Sequence, residues 1–161
     1  MHNHKNSADE DALTMYDIEH SIGFLLSKAY QRAWAILREE IEPYDLTPPQ
    51  FCLLAFLWQQ DGLTQAELAE KGQIDRSTIG GMVDRLVKLS LVERRPHPQD
   101  RRAHMIHLTG QGKELEQPLS DCAQRARARI TSCLNGQEAN ELTRMLELMR
   151  ADRRFYEVPT C

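Results

Sequence analysis

The chain lacks the features that mark membrane, exported and disulfide-rich proteins. No apolar run approaches the ~20 residues needed to span a bilayer, and the mean hydropathy of the 161 residues is −0.55. Its cysteines, Cys52, Cys122, Cys133 and Cys161, form no CxxC pair, so a disulfide framework is not expected. Residues 1–14 are polar and acidic, unlike a signal peptide. We therefore expect a cytoplasmic protein, not bound to a membrane, with a disordered tail over 1–14.

Motifs of catalysis and of metal binding are missing as well. The sequence has no Gly-rich phosphate loop, nucleophile elbow or paired carboxylate motif. No His/Cys cluster has zinc-finger spacing. We predict that the chain is not an enzyme and needs no cofactor or structural metal. Metal sensing by His20, His104 and His107 is a minor alternative, because their spacing matches no recognised motif.

Charge is distributed unevenly along the chain. Twenty basic and 24 acidic residues give a formal net charge of −4, an average that argues against a nucleic-acid partner. Between Arg76 and His104, however, seven Arg and Lys residues stand against three acids, so this stretch carries +4 and the remainder −8. A basic island on an acidic body is typical of a local contact with a polyanion.

Apolar residues recur at three- and four-residue spacing, which predicts a mainly helical chain. Caps and breakers place helices over 15–42, 48–60, 65–71, 76–89, 110–134 and 137–154. Pro118 is expected to kink the fifth helix or to give it an irregular start. The first helix, ~40 Å long, exceeds what one small domain covers, so part of its apolar face is expected to meet another subunit. Two strands, Leu91–Arg95 and Met105–Leu108, predict a β-hairpin with a basic loop.

The order short helix, turn, helix and basic hairpin is that of a winged helix-turn-helix. The second helix presents Arg76, Ser77 and Thr78 at its N-terminal end, where free N–H groups and the helix dipole favour phosphate. One helix fits a DNA major groove. An Arg-rich loop suits the minor groove, where narrow parts concentrate negative potential. The predicted fold is therefore mainly α with a small β-hairpin wing, and the predicted partner is double-stranded DNA.

The stretch from Leu63 to Gly112 resembles the MarR (multiple antibiotic resistance regulator) family. The residues that carry the resemblance are Asp75-x-Ser77-Thr78, Asp84-Arg85-Leu86, Leu91-Val92, Asp100-Arg101-Arg102 and Leu108-Thr109-x-x-Gly112. The resemblance implies a homodimeric, ligand-responsive repressor on a pseudo-palindromic operator. It implies a DNA-binding domain over 47–108 and dimerisation helices over 15–46 and 109–161.

Carried over by position, the resemblance places Ser77, Thr78 and Gly81 on the groove-facing part of the recognition helix. Arg102 matches the arginine that enters the minor groove, and Asp100 the acid that orients wing arginines, although a simple turn role remains an alternative. The full DNA-binding prediction is Thr64, Gln65, Arg76, Ser77, Thr78, Gly81, Arg94, Arg95, Asp100, Arg101 and Arg102. For Arg85 an intramolecular ion pair is favoured over a phosphate contact.

Two positions depart from the family pattern. Ser90 stands where the family usually has Gly after the recognition helix, and Ser suits a left-handed cap poorly. We therefore expect that the helix ends differently. Gly80-Gly81 within the recognition helix costs about 1 kcal/mol of helix stability per Gly relative to Ala. Two explanations for these glycines stay open: a close approach of the backbone to DNA, or a frayed or adaptable helix.

The signal that controls binding is suggested by Arg76 and by aromatic residues. A cation in the first turn opposes the helix dipole and requires an anionic partner, either a phosphate or a ligand carboxylate. With aromatic walls this predicts a phenolic or aromatic carboxylate effector, bound by His20, Ser27, Tyr30, Trp34 and Arg76. Two alternatives stay open: cysteine-based redox sensing on the same fold, and a wing used for protein–protein contact.

Overall fold

The computed structural model describes residues 17–151 and is mainly helical. The helices are α1 (Ile22–Ile41), α2 (Pro48–Gln59), α3 (Gln65–Gly72), α4 (Arg76–Lys88), α5 (Gly110–Glu114), α6 (Glu116–Ile130) and α7 (Gly136–Ala151), with a 3₁₀ turn at Glu42–Tyr44. The strands are β1 (Leu63–Thr64), β2 (Val92–Pro96) and β3 (His104–Leu108). The mainly α fold with a hairpin wing is confirmed. The predicted tail over 1–14 and the chain beyond 151 lie outside the described residues.

Helix α1 begins later than the apolar periodicity predicts. Residues 17–20 are not helical, and Ser21 is the N-cap, since the Phe24 N–H donates to Ser21 Oγ at 3.4 Å. The Ser21 hydroxyl donates in turn to the carbonyl of Ile18 at 2.8 Å. A helix continuous from about residue 15 is therefore wrong for the described part of the chain, because a serine that satisfies a free N–H defines the start more strongly than spacing does.

The predicted fifth helix is two helices, α5 and α6, which meet at Leu115. Pro118 is the third residue of α6, within the first turn, where a missing N–H costs least. The irregular start predicted from Pro118 is confirmed. Helix α6 ends at Ile130 rather than near Leu134.

A core of leucine, isoleucine and valine joins α2, α3, α4 and the sheet. Its fully buried members are Leu53, Leu54, Leu57, Leu63, Leu68, Ile79, Val83, Leu86, Val92 and Ile106. The sheet order is β1-β3-β2 and both pairings are antiparallel. Strand β1 is not predicted from the sequence, because its two residues belong to the cap pattern of α3. Its pairing of Thr64 with Met105 fastens the start of α3 to the wing.

Helix α4 ends on a left-handed serine. Ser90 has φ +58°; its N–H donates to the Val87 carbonyl at 2.9 Å, and the Leu91 N–H donates to the Leu86 carbonyl at 3.0 Å. These two bonds form a Schellman motif, which ordinarily has Gly in the left-handed position. The expectation that Ser90 changes how the helix ends is therefore wrong, since the serine adopts the conformation that glycine would.

A cluster of charges clamps α1 to α6. Arg129 and Arg125 both donate to Glu40, each at 2.9 Å, and Arg129 also pairs with Glu39. Hydrogen bonds from Arg129 and then from Arg125 hold the pKa of Glu40 below its usual value. These ion pairs link α1 to α6.

Candidate nucleic-acid interface

The first helix of the helix-turn-helix, α3, begins with a reciprocal cap. The Glu67 N–H donates to Thr64 Oγ1 at 3.2 Å, and the Thr64 N–H donates to Glu67 Oε2 at 2.7 Å. The Thr64 hydroxyl also donates to this carboxylate. Hydrogen bonds from the backbone and then the side chain of Thr64 lower the pKa of Glu67. The predicted capping box is confirmed, and it occupies the Thr64 hydroxyl within the protein.

The turn between α3 and α4 is closed by Gln73 rather than by Gly72. Gln73 has φ +49°, and the Ile74 N–H donates to the Ala69 carbonyl at 2.9 Å. A Cβ on Gly72 would lie 2.8 Å from Ile74 Cδ1. Gly72 therefore allows close packing against Ile74, whereas the left-handed backbone conformation occurs at Gln73.

Helix α4 presents a polar, uncovered face at its N-terminal end. Arg76, Ser77, Thr78 and Gly81 are exposed, and a Cβ at Gly81 would meet nothing within 4 Å. The opposite face is buried through Ile79 and the residues that follow it at helical spacing. The arrangement leaves small side chains and free backbone N–H groups on a surface that could enter a groove.

The base of the wing is fastened to both helices by Arg94. Arg94 Nη2 lies 2.7 Å from Asp84 on α4, and its Nε donates to Gln65 Oε1 on α3 at 3.3 Å. Arg95 donates to Glu93 of its own strand at 2.8 Å. Two of the four wing arginines are thus neutralised within the protein.

The tip of the wing keeps its cations free. Asp100 Oδ1 accepts the Arg102 N–H at 2.9 Å. Arg101 and Arg102 are exposed, and over residues 17–151 neither guanidinium has an ion-pair partner. Asp100 therefore orders the backbone that carries these arginines and leaves their side chains available to phosphate.

Arg85 pairs with a carboxylate of the same chain. It forms an ion pair with Asp45, which follows the 3₁₀ turn. The interpretation of Arg85 as an intramolecular partner is confirmed. No motif could have named Asp45, which is 40 positions away in the sequence.

Asp61, in the bend that follows α2, connects the end of α2 to strand β3 of the wing. The Leu108 N–H donates to Asp61 Oδ1 at 2.8 Å, and His107 Nδ1 lies 3.4 Å from Oδ2. Although partial burial acts to raise the pKa of Asp61, these contacts lower it overall. Nearby, Trp58 Nε1 donates to the Gly112 carbonyl at 2.9 Å and links α2 to α5. No sequence motif marks either polar contact, because each joins residues about 50 positions apart.

The residues expected to bind an effector do not meet in one cavity. His20 is exposed and bonds to Asp17, and Ser27 is exposed on α1. The Tyr30 and Trp34 rings stack edge-on, 5.4 Å between centroids. Trp34 lines a cavity between α1, α2 and α6, whereas Arg76 lines another beside α7.

The Trp34 cavity is apolar, with a volume of about 310 Å³. Its lining residues are Ala33, Trp34, Leu37, Phe51, Cys52, Ala123, Ala126, Arg127 and Ile130. Arg127 is the one cation among them and is exposed. Within the described part of the chain, its guanidinium has no carboxylate partner. An aromatic-walled cavity with a single free cation suits an organic anion.

The cysteines differ in their surroundings. Cys52 is half-buried, and burial raises the pKa of its thiol, which opposes reactivity. Cys122 is buried, and Arg125 donates to its sulfur at 3.1 Å. Cys133 is exposed, and Cys161 lies outside the described residues. Redox sensing stays a prediction, and burial of Cys52 and Cys122 weighs against it at these two positions.

Residues 17–151 offer neither a metal cluster nor a membrane-spanning helix. No group of three or more His, Cys, Asp or Glu side chains in that range could hold a metal ion. Among the helices of the same range, none combines the length and apolarity that crossing a bilayer requires.

Comparison with known proteins identifies the family. Residues 46–104 match the family model described as MarR family. The HTH-type transcriptional repressor NicR of Pseudomonas putida is 36% identical over 137 residues, 85% of this chain and 85% of NicR.

Solved structures agree with the sequence match. Bordetella bronchiseptica BpsR, whose DNA binding is regulated by 6-hydroxynicotinic acid, superposes with a TM-score of 0.80 at 28% identity, covering 85% of this chain and 98% of BpsR. The transcriptional repressor CouR, bound to a 23-mer DNA duplex, gives 0.79 at 29% identity, covering 86% and 98%. These proteins are regulators rather than enzymes, and the chain belongs to the MarR family of DNA-binding transcriptional regulators.

Proposed function

We propose that this protein is a homodimeric repressor that binds a pseudo-palindromic operator and is released by a small aromatic carboxylate. The main observation behind the DNA-binding part is that some cations of the basic island form ion pairs within the protein, whereas others have no such partner among residues 17–151. Arg85, Arg94 and Arg95 are paired internally. Exposed Arg76 at the start of α4 and the exposed wing-tip arginines are left for phosphate. Recognition helix and wing thus each present cations to DNA.

Dimerisation is supported by two apolar faces that nothing else within residues 17–151 covers. Exposed apolar side chains lie on or beside α1 and on α7: Ile18, Ile22, Leu25, Tyr30, Leu142, Met145, Leu146, Leu148 and Met149. Ile22 is 74% exposed and Leu148 59%, and apolar faces of this extent are costly in water. A second copy that covers them would set two recognition helices about 34–36 Å apart, one helical turn of DNA.

In this proposal the effector binds in the Trp34 cavity. The DNA binding of BpsR is regulated by 6-hydroxynicotinic acid, an aromatic acid with a ring hydroxyl. Trp34 and Phe51 would face the ring, and Arg127 would pair with the carboxylate. The other residues predicted from the sequence, His20, Ser27, Tyr30 and Arg76, would join the site only where a partner subunit brings them to the same ligand.

The cavity lies where a ligand could change helix spacing. Its walls come from α1 and α6, which the Glu40 cluster clamps together, and from α2, which packs in the core of the DNA-binding domain. A ligand that binds better when these walls are re-spaced shifts the population toward that spacing. Loss of operator affinity by about 100-fold requires only about 3 kcal/mol of differential binding.

Fluorescence anisotropy with the upstream intergenic DNA tests both parts. We expect tight binding that 6-hydroxynicotinate or a related aromatic acid reverses. Arg127→Ala should abolish this response and keep operator affinity. Arg38→Ala is the matched control, because Arg38 is an exposed cation on α1 with no ion-pair partner among residues 17–151. Full effector response in Arg127→Ala would refute the proposed ligand site, and absence of duplex binding by the wild type would refute the repressor.

Sedimentation velocity tests the dimer separately. Leu146→Asp should yield monomers and lose operator binding, because a carboxylate cannot be buried unpaired in the interface. Gln137→Asp, at the exposed start of α7, is the matched control. A dimeric Leu146→Asp protein with wild-type affinity would contradict the proposed interface.

A further inference from the structure

The chain reversal at the wing tip is held by one imidazole nitrogen. The backbone N–H groups of Gln99 and Asp100 both donate to His97 Nδ1, at 3.2 and 3.1 Å. The His97 N–H donates to the Ala103 carbonyl across the loop at 3.1 Å. His97 therefore fixes the turn on the side where the chain leaves β2.

Asp100 connects the turn at His97 to the backbone of the wing-tip arginines. Its own N–H is held by His97, and its carboxylate accepts the Arg102 N–H at 2.9 Å. The Ala103 N–H donates to the Asp100 carbonyl at 3.1 Å. The hydrogen bond from Asp100 to His97 and the one from Arg102 to Asp100 thus connect His97 to Arg102, one of the exposed cations of the tip.

We propose that neutral His97, with its proton on Nε2, is a positioning residue for the wing, and that protonating it weakens operator binding. The inference rests on the proposed contact between the wing tip and DNA. To accept two N–H groups, Nδ1 must keep its lone pair, which an imidazolium does not have. Histidine is the side chain whose charge ordinarily changes between about pH 5 and 8, and the imidazolium form of His97 could no longer accept the N–H groups of Gln99 and Asp100.

Charged and titratable groups face His97 from the wing tip, from β3 and from α3. The residues that share its cavity are Thr64, Gln65, Ala66, Asp100, Arg102, Ala103 and His104. From α3, Glu67 also faces it, since a charge on His97 adds to the larger effect of Thr64 in lowering the pKa of Glu67. The charged and titratable groups around His97 are therefore Glu67, Asp100, Arg102 and His104.

Operator affinity measured at two pH values tests the proposal. His97→Asn retains an oxygen acceptor that does not titrate, His97→Ala removes the acceptor, and His104→Asn is the matched control on the neighbouring histidine. Arg102→Ala reports separately whether the wing contacts DNA. Comparing wild type with His97→Asn at each pH removes the pH effects that the two proteins share.

At about pH 8, His97→Ala should bind about tenfold more weakly than wild type, as expected for one to two net hydrogen bonds, and His97→Asn should bind within about twofold. At about pH 5.5, wild type should fall several-fold relative to His97→Asn, less than the full loss in His97→Ala, and His104→Asn should follow wild type. A wild-type to His97→Asn ratio that is the same at both pH values overturns the switch. Wild-type binding by His97→Ala, with Arg102→Ala impaired, overturns the positioning role. An unimpaired Arg102→Ala would instead refute the wing contact.

Discussion

Asp84 of α4 and Arg94 of the wing form an ion pair at 2.7 Å, which joins the two elements that we propose contact DNA. Asp84 would otherwise place an unpaired negative charge on α4. The ion pair therefore holds the wing against the helix and also neutralises the charge of Asp84.

We expect the Asp84–Arg94 pair to show measurable coupling. A double-mutant cycle with Asp84→Asn and Arg94→Gln should give about 0.5–1 kcal/mol in urea unfolding, the upper range for a partly exposed pair. The same cycle on Glu93 and Arg95, which are neighbours on one strand, should give less. Strictly additive effects of Asp84→Asn and Arg94→Gln would show that the pair does not fasten the wing.

Arg102 and Arg95 should differ in the salt dependence of operator binding. Arg102→Ala should weaken binding and reduce the slope of log K against log salt by about 0.9 for each phosphate that is no longer neutralised. Arg95→Ala should change the slope much less, because Glu93 already pairs with Arg95. Anisotropy titrations across a salt series measure both. Equal slopes for the two variants would contradict the sorting of the wing cations by ion pairing.

Ser90→Gly should stabilise the protein. Ser90 has φ +58°, a conformation that costs a residue with a side chain about 1 kcal/mol relative to Gly. The gain should appear as a higher urea midpoint with an unchanged slope. Ser120→Gly, in the middle of α6, should instead destabilise by about 0.5–1 kcal/mol. A lower midpoint for Ser90→Gly would contradict the assigned cap geometry.

Asp61 should make the protein sensitive to acid. Its folded-state pKa is lowered, so it contributes stability that is complete above the pKa of an unfolded Asp, about 3.9, and is lost as pH falls through the folded-state value. In urea unfolding from about pH 6 to pH 3, Asp61→Asn should start less stable and lose less stability. Asp121→Asn, an exposed carboxylate on α6, is the control. An acid dependence of Asp61→Asn identical to that of wild type would contradict the Asp61 contacts.

Local signals predicted much of this fold. The capping box of Thr64 and Glu67, the Thr47-Pro48 start of α2 and the break before Pro118 are decided by neighbours within a few positions. Local signals failed where two of them conflicted. At Ser21 the apolar periodicity continues toward the N-terminus beyond the N-cap, yet the helix begins at the cap. Strand β1 escapes sequence-based prediction because two residues carry no period, and only its pairing with Ile106 and Met105 of β3 defines it.

Spacing along the chain is enough to predict the helical periods, the winged helix-turn-helix order and the basic island. Which cations lack an ion-pair partner among residues 17–151 follows instead from the folded arrangement. Arg85 meets Asp45 and Arg94 meets Asp84 through folding, while Arg101 and Arg102 stay exposed. It likewise separated Trp34 from Arg76 and placed Arg127 beside Trp34. Ion pairs and cavities depend on distances between residues far apart in sequence, and no local pattern encodes those distances.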